Sequence, residues 1–121
     1  MTATRVLVVD DELGMRETLC DILQDAGYEV SAAHDGTSAL AEVQGQAFDV
    51  VLMDIRMPGP DGVTVLQQMG PPPPRVIMMT AYAVEDQLRR AMDAQAFAVV
   101  HKPFQVGYLL NLVEGAAESP S

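Results

Sequence analysis

The chain has 121 residues, which is the length of a single domain. Hydrophobic residues make up 49% of it and charged residues 20%, a composition that argues against a disordered chain. Seven basic residues stand against seventeen acidic ones, and the net charge of −10 argues against direct binding to nucleic acid or to an anionic membrane surface.

Cysteine content and the N-terminal segment indicate where the protein works. Cys20 is the sole cysteine, so an internal disulfide is impossible, which fits a reducing compartment. The first apolar run, residues 6–9, is too short for a signal peptide or a transmembrane helix. We therefore expect a cytoplasmic protein.

Five short apolar runs predict five β-strands. They lie at residues 6–9, 30–33, 50–53, 76–79 and 98–100. The first, third and fourth runs are continuous, without polar alternation, which is typical of strands buried on both faces in a parallel sheet. The second run is smaller and follows Tyr28 and Glu29, so we place it at an edge of the sheet.

Helical patterns separate these runs, and the alternation of strand and helix predicts an α/β fold with helices on both faces of a parallel sheet. The first helix carries an apolar stripe from Met15 to Ala26 and is stopped by Gly27. Asp35 is a candidate N-cap of the second helix. The second to fifth predicted helices lie at residues 37–44, 63–69, 85–95 and 108–114.

The end of the chain carries further predictions. In the fourth helix, Leu88 and Met92 are predicted to face the core. Residues 115–121 are small and polar, so we expect a frayed end or the start of a linker. Residues 1–121 would then form a single domain with its core at about residues 5–114.

Polar residues follow four of the five runs, close to the point where each strand is predicted to end. They are Asp10 and Asp11 after the first run, Asp54 after the third, Thr80 after the fourth and Lys102 after the fifth. Because the carboxyl ends of parallel strands share one edge of an open α/β sheet, these side chains are predicted to converge. Taken singly, each is a common turn, cap or surface residue. Together they would be four independent coincidences, so we favour a functional site.

The residue types at this edge match one chemistry. Three neighbouring carboxylates repel one another unless a cation lies among them, and an all-oxygen site suits Mg²⁺. A carboxylate can also act as a nucleophile and form an aspartyl phosphate. Lys102, the only lysine beside six arginines, offers a compact charge to a phosphoryl oxygen, and the hydroxyl of Thr80 offers a donor. The groups needed to place phosphate on Asp54 are all present.

Five motifs carry a resemblance to a known family. They are V-V-D-D-E at residues 8–12, L-M-D-I-R-M-P-G at 52–59, D-G at 61–62, M-T-A at 79–81 and K-P-F at 102–104. Over about residues 5–114, the chain resembles the CheY-like receiver domain of bacterial two-component response regulators. Five motifs in this order and at this spacing are specific, although each alone is weak.

The resemblance implies a doubly wound, flavodoxin-like sheet of five parallel strands in the order 2-1-3-4-5, with five helices in a three-layer sandwich. It implies that a histidine kinase or a phosphotransfer protein phosphorylates Asp54. Asp11, Asp54 and the main-chain carbonyl of Arg56 would bind Mg²⁺, which Mn²⁺ can replace, and Asp10 would act through water.

The resemblance also implies how the signal is received and passed on. Thr80 and Lys102 would hold the phosphoryl group, and the Lys102–Pro103 bond resembles the cis peptide bond of the family. The phosphorylated receiver would act on a downstream partner or output domain through the fourth helix, fifth strand and fifth helix, a face that can also support homodimers. The protein would be a signalling switch that catalyses only its own phosphorylation and dephosphorylation.

One position departs from the family pattern. Many receivers carry Tyr or Phe three residues before the lysine, whereas this chain carries Val99. We expect Thr80 still to move on phosphorylation, with Tyr82 or Phe97 reporting the change, or else the response to be muted. Arg56 and Tyr82 would flank the acyl phosphate, and their bulk is expected to slow its hydrolysis.

Other functions stay open at this point. The chain could be a phosphorylation-independent interaction module on the same fold, or the N-terminal receiver of a larger transcription activator. A Mg²⁺-dependent phosphohydrolase is disfavoured because Arg56 stands where such enzymes carry a second aspartate. A flavin site is disfavoured because the loop at Asp10 and Asp11 is acidic. His34 and His101 lack a second ligand at metal spacing, so we predict no transition-metal site.

Overall fold

The structure, a computed structural model, describes residues 3–70, 73–81 and 85–118. Five strands alternate with five helices along these ranges. In chain order they are β1 (Arg5–Val9), α1 (Leu13–Asp25), β2 (Glu29–Ala33), α2 (Gly36–Gly45), β3 (Val50–Asp54), α3 (Gly62–Gln68), β4 (Arg75–Thr80), α4 (Glu85–Asp93), β5 (Ala98–His101) and α5 (Val106–Glu118).

The five strands form one sheet in the order β2-β1-β3-β4-β5, and every neighbouring pair is parallel. This confirms the predicted doubly wound fold. β1 pairs with β2 on one side and with β3 on the other, so the direction of winding reverses between β1 and β3. Such a reversal opens a crevice at the carboxyl ends of the strands, which is where ligands of open α/β sheets bind.

The three central strands supply most of the core. Every residue of β3 is buried, and β1 and β4 are buried apart from their first residues. Because successive side chains alternate across a sheet, two apolar clusters form on opposite faces. Leu7 and Val51 contribute to the cluster under α2, α3 and α4, whereas Val8 and Leu52 contribute to the cluster under α1 and α5. β2 lies at an edge, as predicted.

Helix boundaries follow local hydrogen bonding. Asp35 precedes α2 and its carboxylate accepts a hydrogen bond from the N–H of Ser38 at 2.7 Å, which confirms the predicted cap. Asp61 caps α3 in the same way, with the N–H of Thr64 donating at 2.8 Å. Gly27 follows α1 with a φ of +96°, a conformation that glycine adopts without steric cost.

Two predictions about the last helices are wrong. The side chain of Met92 is 56% exposed and its neighbour Ala91 is buried instead, because the apolar side of α4 is narrow and centred one residue earlier. Residues 115–118 belong to α5 rather than to a tail, and Ala116 is buried in the cluster beneath that helix. Small residues give little hydrophobic signal in a sequence, yet they let a helix approach a sheet closely. Residues 119–121 lie outside the described part of the chain.

Helix length bears on the membrane question. The helices α1 and α5 have 13 residues each, whereas a membrane-spanning helix needs about 20 apolar residues. Within the described ranges, no helix combines the length and the apolar character that a bilayer crossing requires.

Candidate functional site

Three charged side chains meet at the carboxyl ends of β1, β3 and β5. Asp10 directly follows β1, Asp54 is the last residue of β3, and Lys102 directly follows β5. The Lys102 ammonium donates to Oδ2 of Asp10 at 2.9 Å and to Oδ2 of Asp54 at 2.8 Å. Residues more than forty positions apart in sequence are therefore brought into direct contact, as the strand spacing predicts.

Main-chain hydrogen bonds between neighbouring strand ends fix this geometry. The N–H of Asp10 donates to the carbonyl of Ala33 at 3.2 Å, and the N–H of Lys102 donates to the carbonyl of Thr80 at 2.7 Å. Both bonds continue the pairing of the sheet beyond the end of a strand. The Lys102–Pro103 peptide bond is cis, as the resemblance implies.

The charges of this site are buried. The side chains of Asp10, Asp54 and Lys102 are 1%, 12% and 12% exposed. Burial raises the pKa of the Asp54 carboxyl because the surroundings disfavour its anion, and the Lys102 ammonium opposes this shift only in part. Burial alone lowers the pKa of Lys102, but the hydrogen bonds to Asp54 and Asp10 outweigh it and raise that pKa. Lys102 is therefore held charged, while the charge on Asp54 is stabilised incompletely.

A third carboxylate gives the site an excess of negative charge. Asp11 is exposed, and its carboxylate oxygen groups with those of Asp10 and Asp54 so that all three lie within 4.8 Å of one another. Lys102 balances one of these three negative charges, which leaves two. An all-oxygen cluster with this excess fits a hard divalent cation. The residues present therefore fit the metal that the resemblance implies.

Two further predicted residues border the cluster. Thr80 is fully buried at the end of β4 and pairs in register with His101 of β5, so it lies at the same edge of the sheet. β4 runs between the strand of Asp54 and the strand that leads to Lys102. The N–H of Arg56 donates to Oδ1 of Asp54 at 3.2 Å, so the main chain of Arg56 borders this carboxylate while its side chain is exposed.

The predicted switch residues do not form one group. Tyr82 lies outside the described residues. Val99 is half-buried and packs with the cluster under α2, α3 and α4. Phe97 packs with the opposite cluster, against Gly115 of α5, and it precedes β5 at the end of that strand remote from the site. This position does not support the hypothesis that Phe97 reports a movement of Thr80.

Sequence reasoning missed two residues that shape the site. Gly62 begins α3 against the end of β3, and a Cβ there would lie 2.5 Å from the main-chain oxygen of Asp54 and 3.1 Å from Cα of Ile55. The D-G motif was the available signal for this close approach. Arg16 of α1 donates from Nη1 to the main-chain oxygen of Asp10 at 2.7 Å. In a sequence, such an arginine cannot be told from a solvated surface charge.

Comparison with known proteins identifies the family. The family model of the response regulator receiver domain matches residues 6–114. The chain therefore belongs to this family, whose function is to be phosphorylated by a kinase in signalling. The fold of the chain is thus that of a receiver domain.

Relatives of very different length share this domain. The chain is 33% identical over 116 residues to sporulation initiation phosphotransferase F of Bacillus subtilis, and the matched region covers 94% of each protein. It is 40% identical to the regulatory protein AtoC of Escherichia coli along its whole length, but spans only 27% of that protein.

Solved structures give the same result. A CheY-like receiver domain protein of Methanospirillum hungatei matches with a TM-score of 0.93 and 28% identity, over 97% of this chain and 95% of the other. NtrX of Brucella abortus matches with a TM-score of 0.87 and 32% identity, over 97% of this chain but 27% of NtrX. The receiver fold therefore occurs both alone and as about a quarter of a longer protein.

Proposed function

We propose that this receiver accepts a phosphoryl group on Asp54 from a phosphohistidine of a histidine kinase or a phosphotransfer protein. The observation that carries the proposal is the contact of one ammonium, that of Lys102, with two buried carboxylates beside a third that faces solvent. A receiver within a longer regulator and a receiver that works alone would share this chemistry.

The surroundings of the three carboxylates support Asp54 as the proposed nucleophile. Both oxygens of Asp10 accept hydrogen bonds, from the N–H of Glu12 and from Lys102, and its side chain is 1% exposed. Asp11 is exposed, and no hydrogen bond from Lys102 to it occurs among the described residues. Asp54 combines contact with the ammonium and residual access, since its side chain is 12% exposed. Burial also raises the pKa of its carboxyl, and the Lys102 ammonium offsets this shift only in part.

The proposed step is a direct transfer of the phosphoryl group. A carboxylate oxygen of Asp54 forms a bond to phosphorus as the P–N bond of the phosphohistidine breaks. The electron pair of that bond goes to the imidazole nitrogen, which takes up a proton as the donor leaves. Lys102 can then donate to a phosphoryl oxygen in place of Oδ2 of Asp54, and the hydroxyl of Thr80 can donate to another. The product is an acyl phosphate.

Asp10, Asp11 and Asp54 would hold Mg²⁺, or Mn²⁺ in its place, with the main-chain carbonyl of Arg56 as a further ligand and Asp10 acting largely through water. When bound, the cation would neutralise negative charge that the phosphoryl oxygens bring to the site. The excess of two negative charges at the cluster supports this assignment.

The output of the switch is proposed to leave through α4, β5 and α5. Large apolar side chains are exposed on this part of the molecule: Met92 by 56%, Val106 by 44% and Tyr108 by 54%. A cavity of about 340 Å³ lies beside Tyr108 and is lined in part by Val99 and Phe104. Apolar surface of this kind favours a protein partner, which is an output domain, a separate downstream protein or a second copy of the chain.

Phosphorylation shifts this face only if the phosphoryl group makes different contacts in two conformations. Lys102 and Thr80 are the residues proposed to make them, because both lie at the site and both are joined to β5: Lys102 follows that strand and Thr80 pairs with it. Val99 lies on the same strand. We place the protein in the cytoplasm, consistent with Cys20 as a free thiol.

The test is the intact mass of the protein after incubation with acetyl phosphate, with Mg²⁺ or with a chelator. We expect one phosphoryl adduct in wild type with Mg²⁺, no adduct with the chelator, and none in Asp54→Asn. Asp49→Asn is the matched control, because Asp49 precedes the same strand at the opposite end of the sheet. An adduct that persists in Asp54→Asn would contradict the assignment. Absence of both an adduct and Mg²⁺ binding in wild type would favour an interaction module.

A further inference from the structure

Every polar group of Asp10 is already bonded within the protein. Its N–H donates to Ala33, its Oδ1 accepts from the N–H of Glu12 at 2.9 Å, and its Oδ2 accepts from Lys102. Its main-chain oxygen accepts from Nη1 of Arg16 at 2.7 Å. The first three partners come from the sheet edge and the adjoining turn, whereas the fourth is a side chain that reaches the site from α1.

The carbonyl that Arg16 holds belongs to the peptide unit between Asp10 and Asp11. Fixing this oxygen fixes the plane of that peptide, and therefore the position of the Asp11 N and Cα from which the Asp11 side chain leaves. Asp11 is the exposed member of the acidic cluster. Arg16 itself is anchored, because it lies in the first turns of α1 and its N–H donates to the carbonyl of Glu12 at 3.0 Å.

Electrostatics and positioning predict opposite effects of this arginine. A guanidinium beside an acidic cluster repels a divalent cation, so its charge alone weakens metal binding. Its hydrogen bond, in contrast, prepares the carboxylates before the metal arrives and thereby strengthens binding. The sign of the effect of removing Arg16 therefore distinguishes the two roles.

We propose that Arg16 is a positioning residue of the receiver site. It fixes the Asp10–Asp11 peptide so that the Asp11 carboxylate faces Asp54, and divalent metal binding depends on it. This inference rests on the proposed function, since it assumes that the acidic cluster binds the metal required for phosphorylation.

The test compares Arg16→Met, which removes the donor and the charge but keeps much of the side-chain length, with Arg16→Lys, which keeps both. Mg²⁺ affinity is measured by calorimetry on chelator-treated protein, and Mn²⁺ affinity by electron paramagnetic resonance. We expect Arg16→Met to weaken binding roughly tenfold, as for other residues that orient metal ligands through hydrogen bonds. Arg16→Lys should lie within about threefold of wild type because an ammonium can also donate to the carbonyl. Arg75→Met at the other end of the sheet controls for net charge and should bind as wild type does.

A second measurement separates positioning from general loss of structure. The rate of labelling by acetyl phosphate should fall in Arg16→Met at low Mg²⁺ and return towards wild type at saturating Mg²⁺. If Arg16→Met does not fold, as judged by circular dichroism, Arg16→Gln replaces it in both measurements. Equal or tighter metal binding by the Met variant overturns the role of Arg16 alone. Absence of metal binding by wild type overturns the proposed metal site and this inference together.

Discussion

Ion pairs occur at both ends of the β-sheet, but in different surroundings. At the amino end, Nε of Arg5 lies 3.7 Å from Oε2 of Glu29, and these side chains are 39% and 65% exposed. At the carboxyl end, Lys102 contacts Asp10 and Asp54, and none of the three side chains is more than 12% exposed. Water surrounds the first pair and is largely excluded from the second group.

This difference separates exposed charges, which the fold tolerates at little cost, from buried charges, which the proposed function would require. An exposed ion pair contributes at most about 1 kcal/mol, because water and salt screen it. Burying an ion costs several kcal/mol, which its partner need not restore, so buried charges are weak evidence for stability. The groove of about 690 Å³ at the amino end has a mixed lining, in which Asp49 and Arg75 lie beside apolar residues such as Leu40 and Phe48. At the carboxyl end the three charges are instead buried, and the proposed phosphorylation chemistry would account for their burial.

The largest expected effect is that of Lys102→Met. The change leaves two buried carboxylates without a counter-charge, so we expect a loss of about 3–5 kcal/mol in the free energy of unfolding in chelator. Glu29→Gln at the amino end removes the charge of the exposed partner of Arg5 and should cost less than about 1 kcal/mol. Urea denaturation at pH 7 measures both variants. Mg²⁺ should restore part of the loss in Lys102→Met because it replaces the missing charge. Similar losses of unfolding free energy in the two variants would contradict the proposed difference between the two ends of the sheet.

A second prediction concerns glycines near the two ends. In Gly62→Ala the new methyl group would lie 2.5 Å from the main-chain oxygen of Asp54, so the end of β3 must shift. We expect a loss of about 1–3 kcal/mol, as for other overpacked sites. Labelling by acetyl phosphate should also slow.

Gly45 provides the control, because it ends α2 beside the amino-end groove, and a Cβ there has no neighbour within 4 Å among the described residues. Gly45→Ala should be neutral or stabilising by up to about 1 kcal/mol. If thermal unfolding showed Gly45→Ala to be less stable than Gly62→Ala, the end of β3 would be able to shift at little cost.

The smallest expected effect concerns an exposed ion pair that lies near the site. It tests whether burial, rather than closeness to the site, determines how much stability is lost when an ion pair is broken. Asp61 and Arg90 join α3 to α4 near the carboxyl end, with Oδ2 and Nη1 3.0 Å apart, but their side chains are 27% and 46% exposed. Arg90→Met should therefore cost less than about 1 kcal/mol at pH 7. A loss as large as that of Lys102→Met would contradict this account.

The pH dependence of this pair has a definite sign. Burial raises the pKa of Asp61, but the hydrogen bonds from the Thr64 N–H and from Arg90 outweigh it and lower the pKa below its ordinary value. Its contribution is thus complete above the ordinary pKa of about 3.9 and is lost as the pH falls through the lowered value. Urea denaturation should show that the difference in the free energy of unfolding between wild type and Arg90→Met shrinks over that acid range. If this difference grew as the pH fell, the predicted direction of the pH dependence would be wrong.

Much of the fold follows from the sequence because the signals for parallel strands are strong. The continuous apolar runs of β1, β3 and β4 admit few alternatives to strands buried on both faces. The polar residues that end those strands, such as Asp54 and Thr80, could then be placed at one edge by topology alone. Asp35 was recognisable as a cap because its short carboxylate precedes a helical pattern.

The rest depends on contacts that a sequence pattern does not encode. Ala116 is buried because α5 lies close to the sheet, which no hydrophobicity pattern of small residues signals. Met92 is exposed although its spacing from Leu88 fits a helical stripe, because the adjacent Ala91 faces the core instead. Arg16 acts on a main-chain oxygen, so its role depends on where α1 begins relative to β1. Phe97 and Val99 are two residues apart, yet they pack on opposite faces because β5 begins between them.

The central claim is that Asp54 receives the phosphoryl group, and reductive mapping tests it most directly. Borohydride reduces an aspartyl phosphate to homoserine, so the protein is treated with acetyl phosphate and Mg²⁺, reduced, digested and analysed by peptide mass spectrometry. We predict homoserine at position 54 and at no other aspartate, and none when Mg²⁺ is chelated. Homoserine at Asp10 or Asp11, or a phosphoryl adduct that borohydride does not convert, would contradict the claim.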